Sequence, residues 1–388
     1  MRFPEFADEW KQTTLGETCS VIGGGTPSTD VDDYWNGDIQ WFTPSEIGVN
    51  KFVSRSERTI TEQGMNNSGA KLLPLGTILL TTRATIGEAS IATCPCTTNQ
   101  GCQSLVINRR ITTTEFVYQK VETLKRELFS RANGSTFKEI SASEVRSIPI
   151  SLPSLAEQEK IASFLSLIDE RIQSCSETIK ERKREKAALL NQLFSQKLRF
   201  PDFDDEWRVT TLGTILSLAP QIPIDKPCIK DIISVKLHGK GISRTSATTL
   251  NLGATQYYLR RVGQLIYGKQ NFHNGAIALI PKEYDNGITS KDIPSFVFDT
   301  TKSSPKYVLA YLLRTKYYEA TEVYTTGTGS KRLKEDSFFS LPLSLPSLVE
   351  QKKIADFLSL IDERIEVEEE LLEQYERQKR YLLRQMFV

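Results

Sequence analysis

The sequence predicts a mixed α/β (α+β) protein written twice. Two similar globular domains are expected, separated by an antiparallel two-helix coiled coil and related by a pseudo-two-fold axis. Residues 149–172, PISLPSLAEQEKIASFLSLIDERI, return at 342–365 as PLSLPSLVEQKKIADFLSLIDERI. The opening RFPEFADEWKQTTLG at 2–16 returns as RFPDFDDEWRVTTLG at 199–213. A period near half the chain is too long for a solenoid and denotes two domains. Neither proline nor glycine occurs between Pro153 and Pro201 or after Pro346, so each copy closes on one unbroken helix. The implied boundaries are a first domain at 1–152, a helical repeat at 153–198, a second domain at 199–345 and a helical repeat at 346–388.

Within the first domain, turn-rich stretches at 23–28 (GGGTPS) and 34–38 (YWNGD) punctuate short strands. Strand-like runs follow at Gly76–Thr81 and Ser104–Ile107, then a helix over 115–130. The second domain repeats the order with Gly263–Tyr267, Ala276–Ile280, Ser295–Phe298 and a helix over 305–319. Each then closes on a Gly/Ser/Thr loop with a lysine, at 134–138 and 327–331. Between the repeated borders the two halves share little sequence. One scaffold with two unlike interiors suggests one task performed on two targets.

Each helix begins with Ser-x-x-Glu, at Ser154 with Glu157 and at Ser347 with Glu350. This is the capping-box spacing, in which the hydroxyl takes the N3 amide and the carboxylate reaches back to the cap amide. A four-three alternation follows. In the first helix it runs Ile161, Leu165, Ile168, Ile172, Cys175, Ile179, Arg182, Lys186, Leu189, Leu193. In the second it runs Ile354, Leu358, Ile361, Ile365, Glu368, Leu372, Tyr375, Lys379, Leu382, Met386. Such a seam argues for a coiled coil over roughly 60 Å at 1.5 Å per residue. Antiparallel pairing within the chain is the simplest arrangement; packing on the helix's own domain, or against another chain, is the alternative. If Ile161 faces Met386, Glu368 lies near Arg182, and a buried Arg is offset by a buried Glu. The Gln-Leu-Phe at 192–194 precedes Arg199-Phe-Pro, and its equivalent Gln385-Met-Phe387 would precede Arg2-Phe-Pro if the chain were a closed ring. The termini are expected close together.

A formal net charge of +1 advertises no global attraction to nucleic acid, so any basic surface must be local. No segment has the length and apolarity of a membrane span, and the opening RFPEFADEW carries no apolar signal core. Six cysteines without framework spacing read as reduced thiols, which favours a cytoplasmic location.

Several motifs together resemble the specificity subunit of type I restriction-modification systems, over essentially the whole chain. They are Gly24-Gly-Thr-Pro-Ser28 with Tyr34-Trp-Asn-Gly-Asp-Ile39 and Trp41, Thr98-Asn-Gln-Gly101, and Leu-Pro-Ser-Leu-x-Glu-Gln-x-Lys-Ile at each helix start. The family usually has two adjacent prolines at the helix start; here Ser154 and Ser347 replace the second. The resemblance implies two target-recognition domains, each reading one half of a split, asymmetric duplex DNA site, with the helices as the ruler. It implies as partners two copies of the adenine methyltransferase subunit and the motor-nuclease subunit. S-adenosylmethionine, ATP and magnesium would then belong to those partners and no cofactor to this chain. Unlike domain interiors independently favour an asymmetric target, since one shared reader would give a palindrome.

No catalytic constellation emerges from the residues themselves. Cys94-Pro-Cys96 with Cys102 lacks a fourth thiol or a nearby histidine for zinc, so no metal site is expected. Neither Gly23-Gly-Gly-Thr26 nor Gly327-Thr-Gly-Ser-Lys331 has P-loop spacing. No Asn-Pro-Pro-aromatic segment for adenine methylation is present. For base and phosphate contacts the candidates in the first domain are Lys71, Arg83, Asn99, Gln100, Ser135 and Lys138. In the second they are Lys236, His238, Lys240, Arg244, Lys269, Gln270, Asn271, His273, Ser330 and Lys331. These residue types in turn-rich segments suit guanine and adenine edges or phosphate oxygens. The basic run Arg182-Lys-Arg184 alternates with Glu181 and Glu185 and reads as a solvated helical face. Two rivals remain: a stand-alone enzyme, for which no acid, base or nucleophile cluster shows, and a scaffold that joins proteins rather than reading DNA.

Overall fold

In the computed structural model, which describes residues 1–134, 138–245, 255–327 and 331–387, the repeated borders of each half pair with each other. Lys11–Thr14 runs antiparallel to Pro149–Leu152, and Arg208–Thr211 runs antiparallel to Pro342–Leu345. The strand after each RFP opening is thus fastened to the strand that leads into a long helix. The helices span Leu155–Phe194 and Leu348–Met386. The chain forms two compact units, Met1–Ser176 with Glu370–Val388, and Glu177–Glu369, so each long helix contributes to both.

In the first unit, strands Cys19–Gly23 (β1), Trp35–Phe42 (β2), Phe52–Val53 (β3), Arg58–Ile60 (β4), Ile78–Thr81 (β5), Ala89–Ala92 (β6), Cys96–Thr98 (β7) and Cys102–Ile107 (β8) build two sheets. Their orders among the described residues are β1-β8-β5-β6-β3 and β4-β2-β7. Side chains alternate across a strand, so Ile78 and Leu80 go to one face and Leu79 to the other. The first face packs on Phe116, Val117 and Val121, on Ile161, Leu165, Ile168, Leu382 and Met386 from the two long helices, and on Phe387 just beyond the second. The second packs with Phe42, Ile47, Cys96 and Cys102. With both faces covered, strand β5 reads as a continuous apolar run.

In the second unit, Leu216–Leu218 (β9), Tyr257–Leu259 (β10), Leu265–Tyr267 (β11), Ile277–Leu279 (β12), Ile288–Ser290 (β13) and Ser295–Phe298 (β14) include a sheet of order β9-β14-β11-β12. This matches the order of the four strands β1-β8-β5-β6. Leu265 and Tyr267 face a core with Tyr307, Val308, Leu193, Phe194, Ile354 and Leu358, while Ile266 faces Ile233, Ala278 and Ile280.

The run expected at Ala276–Ile280 is the shorter Ile277–Leu279, and two other strands start two residues later than expected for one cause. Gly76 and Gly263 hold φ of +81° and +80°, turn geometry that ends before Ile78 and Leu265 begin their ladders. The helix expected over 115–130 is two, Thr114–Thr123 and Lys125–Arg131, and that over 305–319 is Pro305–Leu312 and Thr315–Ala320.

The helix starts correct another expectation. Ser154 Oγ accepts from the Glu157 amide at 3.4 Å and Ser347 Oγ from the Glu350 amide at 3.3 Å, but neither carboxylate returns to the cap amide. Glu157 instead accepts from Arg2 Nε and Nη2, both at 2.7 Å, and from Trp10 Nε1 at 3.4 Å. Glu350 accepts from Arg199 at 2.9 and 3.0 Å and from Trp207 Nε1 at 3.3 Å. A bidentate charge-assisted bond outcompetes a neutral amide. The next residue fastens the helix to its domain. Gln158 accepts from Thr112 Oγ1 and the Thr113 amide and donates to the carbonyls of Ile111 and Pro153. Gln351 accepts from the Ser304 amide and donates to the carbonyls of Lys302 and Pro346.

All the seam positions named above are buried or half-buried. Lys379 pairs with Asp169 at 2.7 Å in the first unit; in the second, Lys186 pairs with Asp362, and Lys183 with Glu369 at 2.5 Å. The expected Arg182–Glu368 offset does not form. Both are half-buried and line a cleft of about 760 Å³ with Phe357, Leu360 and Arg364, and the Arg182 Nε has no hydrogen-bond partner. The Met1 amine donates to the Gln385 carbonyl, so the two ends meet in the first unit. No helix among the described residues is long and apolar enough to cross a membrane.

Candidate nucleic-acid interface

Three loops converge at one edge of each domain. In the first, the β5–β6 hairpin hangs from the β7–β8 turn through Thr82 N to Gly101 O, 2.8 Å, and from the loop after the helices through Ile140 N to Thr82 O, 3.2 Å. In the second, the β11–β12 hairpin hangs from the β13–β14 turn through Lys269 N to Asp292 O, 2.9 Å, and from the following loop through Leu333 N to Lys269 O, 2.8 Å. Bridges Asn133 to Glu139 and Thr326 to Arg332 close the third loop of each set. This rim gathers Arg83, Asn99, Gln100 and Lys138 on one domain, and Lys269, Gln270, Asn271, His273 and Lys331 on the other. Ser135 and Ser330 lie outside the described residues.

Side chains on the first rim differ in their freedom to meet a ligand. Gln100 is exposed and accepts from the Thr26 hydroxyl. Asn99 is turned inward, its Oδ1 accepting from the Gly101 amide at 2.9 Å. Arg83 pairs with Glu139 at 2.8 Å, and Lys138 lies 4.1 Å from the centre of the Phe129 ring. Lys71 stands apart, two residues beyond Gly69, whose backbone fills the space a side chain at Gly25 would need. The 23–28 loop is held rigid by two indoles, Trp41 Nε1 to Gly25 O at 2.9 Å and Trp35 Nε1 to Ser28 O at 3.0 Å. Arg58 stacks on Trp35 at 3.5 Å from the ring centre. Thr26 and Arg58 were missed in the sequence; the tryptophans of the Tyr-Trp-Asn-Gly-Asp-Ile and Trp41 motif were the signal.

On the second rim, His238 and Gly239 join the hairpin through backbone bonds to the carbonyls of Asn274 and Gly275, 2.8 and 2.9 Å. Lys236, Lys240, Gln270 and Asn271 are exposed. His273 bonds Asn274 at 3.2 Å and its Nδ1 is buried without a partner. Lys269 is largely buried and pairs with Glu335 at 2.7 Å. Lys331 pairs with Glu322, whose carboxyl that lysine holds below its ordinary range. Arg244, at the far end of its strand, is 3.6 Å from Asp231 and donates to the carbonyls of Lys230 and Glu283, away from the hairpin. Arg83, Lys331 and Arg244 each have an acidic neighbour, so a phosphate would exchange for a carboxylate at modest cost at these exposed sites.

Burial pushes the thiols of Cys96 and Cys102 up to about 12 and that of Cys19 up to about 11. Protonated thiols of this kind are poor nucleophiles at neutral pH. Among the described residues no group of three His, Cys, Asp or Glu side chains is placed to hold a metal ion.

The structure is a duplicated α/β scaffold with two unlike loop rims, and comparison with known proteins identifies its family. A family model described as the type I restriction modification DNA specificity domain matches residues 7–182 and 205–377, and the chain belongs to that family. It is 33% identical over 280 residues to the MjaIX specificity subunit of Methanocaldococcus jannaschii, covering 64% of this chain and 63% of that one. It is 29% identical over 184 residues to the EcoR124I/EcoR124II specificity subunit of Escherichia coli, covering 46% of this chain and 45% of that one. The chain thus spans 63% and 45% of these two relatives. In fold it is similar to the type I restriction-modification S subunit of M. genitalium, with a TM-score of 0.62, 16% identity and coverage of 100% of this chain and 97% of that one. It is also similar to a chain from a structure described as the basis of complex assembly and conformational transition of the type I R-M system, with a TM-score of 0.55, 17% identity and coverage of 99% and 98%.

Proposed function

We propose that this chain is the DNA-specificity subunit of a type I restriction-modification complex, each domain reading one half of a bipartite, asymmetric duplex site. The observation that carries the reading is the rim. The same three loops hang from the same strand order in both domains, yet apart from the lysine at 138 and 331 their side chains differ. The long helices act as an antiparallel coiled-coil strut that sets the spacer, a role supported by the ion pairs Lys379–Asp169 and Lys186–Asp362.

The strut also docks two methyltransferase subunits, with the motor-nuclease subunit joining that core. S-adenosylmethionine, ATP and magnesium serve the partners, and this chain contributes recognition without catalysis. Docking is supported by the exposed Lys160, Leu167 and Arg171 and their counterparts, which are identical in both repeats although burial does not require it; the intervening Phe164 and Phe357 are half-buried against the cores. Lys160, Phe164, Leu167 and Arg171 form one helical stripe and Lys353, Phe357, Leu360 and Arg364 its counterpart, with Leu167 and Leu360 both 60% exposed.

The test is a domain exchange. Residues 17–133 are replaced by the equivalent stretch of a relative, and the complex selects from a random-sequence duplex library. One half of the enriched site is expected to change and the other to persist; a change in both halves would refute modular reading. Absence of salt-dependent duplex binding by the assembled complex would instead favour a protein-joining scaffold.

A further inference from the structure

Among the described residues Arg260 is the largest fully buried side chain, with 0% exposure, and no carboxylate partners it. Its guanidinium donates from Nε to Thr289 Oγ1 at 2.7 Å, from Nη1 to Ser295 Oγ at 3.0 Å and from Nη2 to Ile293 O at 3.2 Å. These acceptors belong to strand β13, strand β14 and the turn between them. A buried cation without a counter-ion is an expensive way to fill a core, and an apolar side chain would fill the volume more cheaply. What the planar fork adds is simultaneous attachment at three separated points.

The turn so fixed is the one from which the second rim hangs. Asp292, next to Ile293, accepts the Lys269 amide on its carbonyl at 2.9 Å and pairs with Arg332 through its carboxylate at 2.9 Å. The first residue of the hairpin that carries Gln270 and Asn271, and the loop that carries Lys331, therefore share one support. The first domain solves the same problem differently. Its equivalent turn is closed by Asn99 Oδ1 on the Gly101 amide, at 2.9 Å, and Gly101 O then holds Thr82.

We infer that Arg260 is a positioning residue for recognition of the second half-site, acting through the 290–293 turn on the hairpin that begins at Lys269 and the loop at Arg332. The inference rests on the DNA-reading function proposed above. By the same geometry Asn99 holds the first rim in place rather than touching a base.

Full-length parent, Arg260→Lys and Arg260→Met are each assembled with the partner subunits and enriched on a random-sequence duplex library, with thermal unfolding measured in parallel. Discrimination within the second half-site is expected to fall on the order of tenfold per relaxed base pair. The first half-site should stay as sharp as in the parent. The lysine variant, which keeps the charge but not the fork, should lose discrimination nearly as fully as methionine; rescue by lysine would assign the effect to charge and overturn the positioning role. A folded methionine variant with an unchanged second half-site, or equal loss in both halves, would also overturn it. If neither variant folds, Thr289→Val, which removes the acceptor of Arg260 Nε, carries the test, and an unaltered second half-site there overturns the inference. A parent that enriches no bipartite sequence would sink the DNA-reading function itself, a different result from a parent that does so beside indifferent variants.

Discussion

Glu157 and Glu350 show how much one side chain joins. Each carboxylate is 1% exposed, caps nothing, and holds the Arg and Trp of an RFP opening against the start of a long helix. The two partners are unequal in burial, since the Arg2 side chain keeps 32% of its surface in water. Removing the acid leaves an arginine that rehydrates; removing the arginine strands a buried carboxylate. Glu157→Ala is therefore expected to cost about 2 kcal/mol, the loss of charge-assisted hydrogen bonds. Arg2→Ala should cost more than Glu157→Ala, and Arg2→Ala combined with Glu157→Leu less than Arg2→Ala alone. Urea unfolding of the three variants checks the order, and Arg2→Ala proving the mildest would contradict it. The Ser-x-x-Glu spacing was legible, but the residue that claimed the carboxylate lies 155 positions away. Asn99 and Lys269 teach the same lesson. Their types suit base edges, yet a local amide and Glu335 engage them, and residue type alone does not show which donors a fold has already used.

At the scale of elements, the paired glutamines explain why Glu-Gln recurs as a unit. Gln158 ties the first long helix to the segment at 111–113, and Gln351 ties the second to 302–304. Gln158→Ala leaves a buried hydroxyl, an amide and two carbonyls without this partner, an expected cost of about 2 kcal/mol. Hydrogen exchange should accelerate around 111–117 while 302–308 keeps its protection, and Gln351→Ala should do the reverse. Loss of protection in both regions from either variant would show that the two locks are one. Helix starts, several core strands and the long helices were readable because capping residues, glycine turns and a four-three seam act locally. The breaks in the shorter helices were not. Leu124 carries no breaker signal, and the chain turns at Arg314, where the guanidinium lies 3.8 Å from the Tyr311 ring centre, 4.9 Å from Phe194 and 5.5 Å from Tyr317. Phe194 comes from the far end of the first long helix, a contact beyond the reach of any sequence window.

At the scale of the whole molecule, duplication was legible from the borders alone, while the seam chemistry was legible only in part. Lys186 and Lys379 occupy core-facing positions and find Asp362 and Asp169, whereas Arg182 and Glu368 share a cleft without pairing. Charged pairs at seam positions favour one register of the two helices over its neighbours. Inserting four residues between Lys186 and Ala187 adds about one helical turn, roughly 6 Å at 1.5 Å per residue. Four residues in a seven-residue repeat make a stutter that nearly preserves the seam, so the variant should fold. One helix lengthens while its partner does not, so part of the change will be absorbed as strain or a looped-out turn. If the strut sets the separation, the preferred spacer should grow by about 1–2 base pairs at 3.4 Å per step, with both half-site sequences unchanged. Enrichment from a library with randomised spacer length reads this directly. A folded variant that binds DNA and keeps the parent's spacer would assign the distance to some other part of the complex.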